Sequence, residues 1–151
     1  MYKNNFAKKL GILTFTPDHR ETLWIVAHEF AKRNEYQRAV NHFYRFLNAS
    51  SKDAKGLEWE QSFQAHLMIA DIHLRLNEPQ KALTILNAAK LYFPDRGEVY
   101  WLLALTYWQT GNEQQAADAM TEGKKNVREF DKYLLLFETL RKKKIVPQKS
   151  R

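Results

Sequence analysis

The 151-residue chain is 44% apolar and 13% aromatic, which is enough apolar material for one ordinary domain with its own core. It contains no Cys, and this excludes a disulfide framework, a thiolate nucleophile and a zinc site built on thiolates. The net charge is +7, and all of the excess lies at the C-terminal end, where residues 124–151 carry ten basic and three acidic residues.

The N-terminal segment, residues 1–15, is predicted to be a partly ordered lead. Its apolar run is too short and too interrupted for a secretory signal peptide. No stretch of the chain approaches the roughly 20 apolar residues of a membrane span. We therefore expect a cytoplasmic protein without a membrane span. Thr16 as N-cap and Pro17 at the first helical position indicate where the first helix begins.

Apolar residues recur at i, i+3, i+4 and i+7 along most of the remaining chain, which predicts amphipathic helices. Three helical pairs are predicted over residues 17–33 and 36–49, 57–76 and 79–92, and 96–110 and 113–126. A last helix is predicted from Asp131 to about Lys144. The segment between the first two pairs is expected to be a loop up to about Gly56, and "DRGE" at 95–98 indicates a capping box.

Nearly the same phrase joins the two helices of each pair: "NEYQRAV" at 34–40, "NEPQKAL" at 77–83 and "GNEQQAA" at 111–117. Asn or Gly at the start tolerates left-handed backbone angles and can end a helix. The alanines Ala39, Ala82 and Ala116 leave room for two helices to cross closely. The phrase therefore predicts a tight turn followed by the first turn of a second helix.

The last two phrases are 34 residues apart, and this period with its helix–turn–helix content resembles the tetratricopeptide repeat family. The family pattern has a large aromatic at motif position 4, Leu at 7, a small residue at 8, Tyr at 11, Ala at 20, an aromatic at 24 and Ala at 27. Counted from Gly97, the third repeat supplies Tyr100, Leu103, Ala104, Tyr107, Ala116, Met120 and Gly123. The repeats counted from Arg20 and Phe63 also have small residues at positions 8 and 20, although the first of them has Phe46 at position 27.

This resemblance implies an all-α fold, a right-handed superhelix of three helix–turn–helix repeats followed by a C-terminal capping helix. The implied organisation is a lead over residues 1–15, a repeat domain over 16–144 and a basic tail over 145–151. Within the domain, the repeats take residues 20–53, 63–96 and 97–130, and the capping helix takes 131–144.

The resemblance also implies a concave groove, lined by motif positions 2, 5, 9 and 12 of each first helix. The candidate partner-binding residues at these positions are Trp24, His28, Leu67, Asp71, Leu74, Trp101, Leu105, Trp108 and Leu135. Because three of the four tryptophans are among them, we expect an apolar or amphipathic segment of another protein as the ligand. The alternative occupants of the groove are the N-terminal lead, a second copy in a homodimer and the C-terminal helix.

No catalytic site, metal site or cofactor is expected. His66 and His73 fall at motif positions where the family packs aromatic residues, so they are predicted to belong to the core. Asp71 and His73 do not form a metal-binding pair, because residues two apart on a helix face away from each other. The chain also lacks a Gly-rich loop and a nucleophile elbow.

The basic end consists of Arg141, Lys142, Lys143 and Lys144. These residues fit a solvated helix C-terminus, where cations suit the helix dipole, or a docking patch for an acidic partner, nucleic acid or anionic lipid. The aromatic residues nearby are expected to pack inward, which disfavours nucleic acid as a partner: Phe130, Tyr133 and Phe137.

Together these features predict a noncatalytic protein-interaction module. In size, repeat count and apolar groove, the chain is similar to the small tetratricopeptide chaperones of bacterial type III secretion. Those chaperones are mostly acidic, whereas this chain is basic. A scaffold or assembly adaptor, and a nucleic-acid-associated protein acting through the basic end, are the alternatives.

Overall fold

The structure is a computed structural model that describes residues 20–50 and 55–143. Over these residues the chain forms seven helices and no strand, which confirms the all-α prediction. The helices are α1 (Arg20–Lys32), α2 (Tyr36–Ala49), α3 (Leu57–Arg75), α4 (Pro79–Tyr92), α5 (Gly97–Gln109), α6 (Glu113–Asn126) and α7 (Asp131–Lys142). None of the seven combines the length and the apolar character that a membrane crossing requires.

Most helix bounds lie within two residues of those predicted, and α3 begins directly after Gly56 as expected. The predicted capping box at 95–98 is wrong. Helix α5 begins at Gly97, and its N-cap is Arg96, which makes no side-chain capping hydrogen bond. Asp95 lies one residue too early to cap this helix, because the capping oxygen must come from the N-cap residue itself. The predicted start at Thr16, the lead, Lys144 and the tail lie outside the described residues.

The repeated phrase forms the same turn in all three pairs. Asn34, Asn77 and Gly111 have positive φ angles of 61°, 58° and 80°, in the left-handed region that Asn and Gly tolerate best. The next residue donates its backbone N–H to a carbonyl five residues earlier, which is the bond of a Schellman motif. The three bonds are Glu35 N to Phe30 O at 2.9 Å, Glu78 N to His73 O at 2.8 Å and Asn112 N to Tyr107 O at 2.8 Å.

The repeat alanines are packing positions, as predicted. Ala39, Ala82 and Ala116 are all 0% exposed. Helix α1 packs on α2 and α5 packs on α6, and each second helix presents its alanine in the first turn. With no side chain beyond Cβ, the two backbones can approach closely.

The chain divides into two compact units within α3, between Ile72 and His73. The first unit contains α1, α2 and most of α3, and Arg20 forms an ion pair with Glu58 between α1 and α3. Its largest fully buried side chains are Phe43, Phe46, Val40, Ile69 and Ile72. The second unit contains the end of α3 and α4 to α7. Its largest fully buried side chains are Tyr100, Phe93, Phe130, Leu86, Val99 and Thr106.

Two glycines in the second unit make room for α7. Phe130, directly before α7, is 0% exposed, and its ring occupies the space that a Cβ on Gly123 of α6 would take. A Cβ on Gly97 of α5 would lie 2.6 Å from Cε2 of Tyr133. The Tyr133 hydroxyl also donates a hydrogen bond to Glu98, at 3.3 Å. Phe130 and Tyr133 thus anchor the last helix against α5 and α6.

Candidate partner-binding surface

In the first unit, Trp24 on α1 combines a core contact with an exposed part. Its ring lies 5.0 Å from the Phe46 ring and 5.9 Å from the Phe43 ring, centroid to centroid, and both phenylalanines are fully buried. Trp24 itself is half-buried. One side of the indole is therefore held by the core of this unit, while part of the ring stays accessible to a ligand.

His28 lies one turn along α1, with its ring centroid 4.4 Å from that of Trp24. Its Nε2 is buried and has no hydrogen-bond partner among the residues that the structure describes. Burial, followed by the charge of Lys32, lowers the pKa of the imidazole. The neutral ring therefore packs as an aromatic beside Trp24, as an edge-to-face pair favours.

The three predicted binding residues on α3 differ in exposure. Leu67 and Leu74 are half-buried, whereas Asp71 is exposed. Leu67 and Asp71 belong to the first unit, and Leu74 belongs to the second. This helix therefore offers apolar side chains that are only partly accessible, together with one carboxylate in solvent.

In the second unit, the two predicted tryptophans of α5 have different surroundings. Trp101 is half-buried, and its ring lies 5.9 Å from the Tyr133 ring of α7. Trp108 is only 7% exposed, and its ring packs edge-on against Phe137 of α7 at 5.7 Å. Leu105, between them on α5, is half-buried. The last helix thus covers Trp108, which belongs to the core of this unit, while Trp101 keeps an accessible part.

Helix α7 carries exposed apolar side chains of its own. Leu135, which was predicted as a binding residue, is 71% exposed, and its neighbour Leu136 is 50% exposed. Phe137 is buried, because its side chain lies on the opposite face of the helix from Leu135. The exposure of Leu136 was not predicted. The sequence does contain a sign of this exposure: Leu136 lies four residues after Lys132, and this spacing places both side chains on one helix face.

A tetratricopeptide repeat family model matches residues 27–90 and 67–127, which together span most of the described chain. The chain belongs to the tetratricopeptide repeat family. A comparison with curated proteins gave no match. Tetratricopeptide repeats generally mediate protein–protein interactions and are typically noncatalytic.

Two histidines replace aromatic residues of the tetratricopeptide pattern, and both are buried, as predicted. Nδ1 of His66 donates to the carbonyl oxygen of Ser62, at 2.7 Å. Burial lowers the pKa of His66, and this hydrogen bond partly opposes the effect. His73 lies 3.3 Å from a carboxylate oxygen of Glu78, measured from Nδ1. No group of three or more His, Asp or Glu side chains with metal-binding geometry occurs within 20–50 and 55–143.

The basic end of the tetratricopeptide domain is exposed where it is described. Arg141 lies 3.6 Å from the Glu138 carboxylate and 5.9 Å from the centroid of the Phe137 ring. Lys142 and Lys143 are exposed, and Lys144 lies outside the described residues. Phe130 and Phe137 are buried, as predicted, and Tyr133 is half-buried, so these rings are not displayed as a stacking platform.

Proposed function

We propose that this protein is a noncatalytic interaction module that binds an apolar or amphipathic segment of another protein. The binding residues are those that the repeat pattern assigns to the groove, except Trp108, which is buried under α7. One observation carries the proposal: each unit holds a tryptophan half-buried at motif position 5, Trp24 in the first and Trp101 in the second. Membership of a family that generally mediates protein–protein interactions supports it.

The two tryptophans have the properties of interface anchors. An indole ring can bury about 150–250 Å² of surface, and interface energy concentrates in such residues. Trp24 is held by Phe43 and Phe46, and Trp101 is held by Tyr133, so each ring loses little side-chain entropy when a ligand covers it. Leu105 extends the apolar surface beside Trp101.

Trp108 has a structural role in this proposal. Because Phe137 already covers its ring, removing Trp108 would leave a cavity under α7 and lower stability before it affected a ligand. Experiments on ligand binding should therefore change Trp24 or Trp101 and leave Trp108 in place.

A capture experiment with matched tryptophan variants tests the proposal. Wild-type protein, Trp101→Ala and Trp59→Ala would each be used to retain partners from a lysate of the native host. Trp59 is also half-buried, but it precedes the second repeat and occupies no groove position. We expect Trp101→Ala to lose the retained protein and Trp59→Ala to keep it, with helical circular dichroism unchanged in both. Equal retention by all three proteins would refute the proposal.

The finer form of the proposal is a chaperone that keeps one secretion component soluble until export. Size and repeat count favour this form, and an assembly adaptor is the alternative. Coexpression of the captured partner distinguishes them. A chaperone should raise the soluble yield of that partner when expressed with it alone, and Trp101→Ala should abolish the increase. An adaptor should instead hold two different partners in one complex.

A further inference from the structure

The exposed face of α7 carries a row of side chains that lie outside the buried core of the second unit. We call it the basic–leucine strip, and it consists of Lys132, Leu135, Leu136, Thr139, Lys142 and Lys143. Residues three and four apart are neighbours on a helix, so Lys132 adjoins both leucines and Thr139 connects them to the two later lysines. All six side chains are exposed. The strip is thus a small apolar centre with cations at both ends.

The positive charge of the strip is not balanced by its surroundings. Residues 124–143 include seven basic and three acidic residues. Two of the acids are engaged, since Asp131 pairs with Lys124 at 2.5 Å and Glu138 with Arg141 at 3.6 Å. The three lysines of the strip form no ion pair with any residue in the described part of the chain. Lys132 does lie over the Tyr133 ring, with its Nζ 4.9 Å from the ring centroid. A ligand that supplies carboxylates would therefore meet cations that have no carboxylate partner in the described part of the chain.

The first 15 and the last seven residues of the sequence do not match the strip in charge. Residues 1–15 contain three Lys and no acid, and residues 145–151 contain one Lys, one Arg and no acid. A second copy docking through the same strip would bring lysines against lysines, which is unfavourable. Among these occupants, a different protein is the one that can supply the complementary charge.

We propose that the basic–leucine strip binds an acidic amphipathic helix of a partner protein. Apolar side chains of that helix pack on Leu135 and Leu136, and its carboxylates pair with Lys132 at one end and with Lys142 and Lys143 at the other. The ends of the strip are ten residues apart, or about 15 Å at about 1.5 Å per residue. A partner helix that lies along α7 therefore needs acidic residues about ten positions apart, with apolar residues between them. This inference rests on the proposed function and adds the chemistry of the bound segment.

A protein segment fits the strip better than a lipid surface does. Binding of a helix to a membrane grows with the apolar area that enters the bilayer, and the strip presents only two leucines. The apolar face of α7 that could otherwise insert is already used within the second unit, where Phe137 is buried and Tyr133 contacts Trp101. A partner helix needs only a narrow apolar contact with charges at its margins.

Three synthetic helical peptides of about 16 residues would test the proposal. They share one leucine stripe and carry Glu, Gln or Lys at both flanks, and their affinities are measured by fluorescence anisotropy at ~50 mM salt. We expect the Glu peptide to bind at least about 10-fold tighter than the Gln peptide, and the Lys peptide not to bind. Binding of the Glu peptide should weaken as salt is raised.

Two variants and two matched controls connect the binding to the strip. Leu135→Gln with Leu136→Gln, and the triple reversal of Lys132, Lys142 and Lys143 to Glu, should each lower affinity for the Glu peptide by at least about 10-fold. Leu91→Gln is the apolar control, because Leu91 is 80% exposed on α4. The charge control, with the same change in net charge, reverses three exposed cations of the first unit to Glu: Lys32, Arg45 and Lys55. Both controls should bind as wild type does.

Three results would overturn the inference. The first is equal affinity for the Glu and Gln peptides, and the second is binding that both strip variants retain. The third is strip-dependent binding to phosphatidylserine vesicles, but not to phosphatidylcholine vesicles, by a protein that does not bind the Glu peptide. If the captured natural partner is lost by Trp101→Ala but kept by both strip variants, the proposed function stands and the strip inference falls.

Discussion

Replacement of Gly123 by Ala sets two physical effects of opposite sign against each other. Gly123 lies inside α6, where Ala is intrinsically more favourable than Gly by about 1 kcal/mol. The added Cβ, however, would overlap the ring of Phe130, approaching Cε1 to 2.7 Å and Cε2 to 2.8 Å. Real Cβ atoms do not come this close to carbon atoms, so either Phe130 or α7 must shift.

The structure indicates that the overlap outweighs the gain in helix propensity. Phe130 and Gly123 are both buried, and the ring also packs on Tyr100 and Tyr133 at 6.2 Å and 5.3 Å between centroids. The ring therefore cannot simply swing into solvent. Overpacking of a buried site typically costs about 1–3 kcal/mol. After subtracting the propensity gain of about 1 kcal/mol, we expect Gly123→Ala to lower the free energy of unfolding by up to about 2 kcal/mol.

Urea unfolding followed by circular dichroism would measure this change. Thr121→Ala is a matched control in the same helix, because Thr121 is exposed and Ala gains propensity there without a clash. A second control combines Gly123→Ala with Phe130→Leu, whose smaller side chain should relieve the overlap and produce a favourable coupling energy. If Gly123→Ala raised stability by about as much as propensity alone predicts, the close packing of the Phe130 ring on Gly123 would be wrong.

Further predictions concern the core. Ala116→Leu should overpack the crossing of α5 and α6 and cost about 1–3 kcal/mol in urea unfolding, whereas Ala117→Leu, at a half-buried site, should cost less. Trp108→Ala should cost about 3–5 kcal/mol and Trp101→Ala less, because only Trp108 is covered by α7. Burial lowers the pKa of His66 from its ordinary 6.5, so protonation of this side chain favours the unfolded chain. The urea midpoint should therefore fall as the pH drops below about 6.5, and it should fall less steeply in His66→Phe.

The sequence by itself was sufficient for the helices and the turns between them. Helical periodicity and turn chemistry act over a few residues. Asn34 and Asn77 therefore adopt the left-handed conformation that Asn tolerates, and Gly111 adopts it because it has no Cβ. The repeat alanines were predictable for a similar reason, since a fixed spacing from the turn places them at the helix crossing. The capping box at Asp95 failed because an N-cap depends on the helix start to a single residue.

The accessibility of the candidate binding residues was decided by the tertiary structure. Motif position assigned Trp24, Trp101 and Trp108 alike to the groove, but only the first two keep an accessible part. Trp108 is covered because α7 places Phe137 against its ring, and no feature of α5 alone specifies which helix packs over it. Likewise, the row of leucines in α7 does not show which of them face solvent. Burial of a side chain depends on the neighbouring helix, and that neighbour is set by packing between segments distant along the chain.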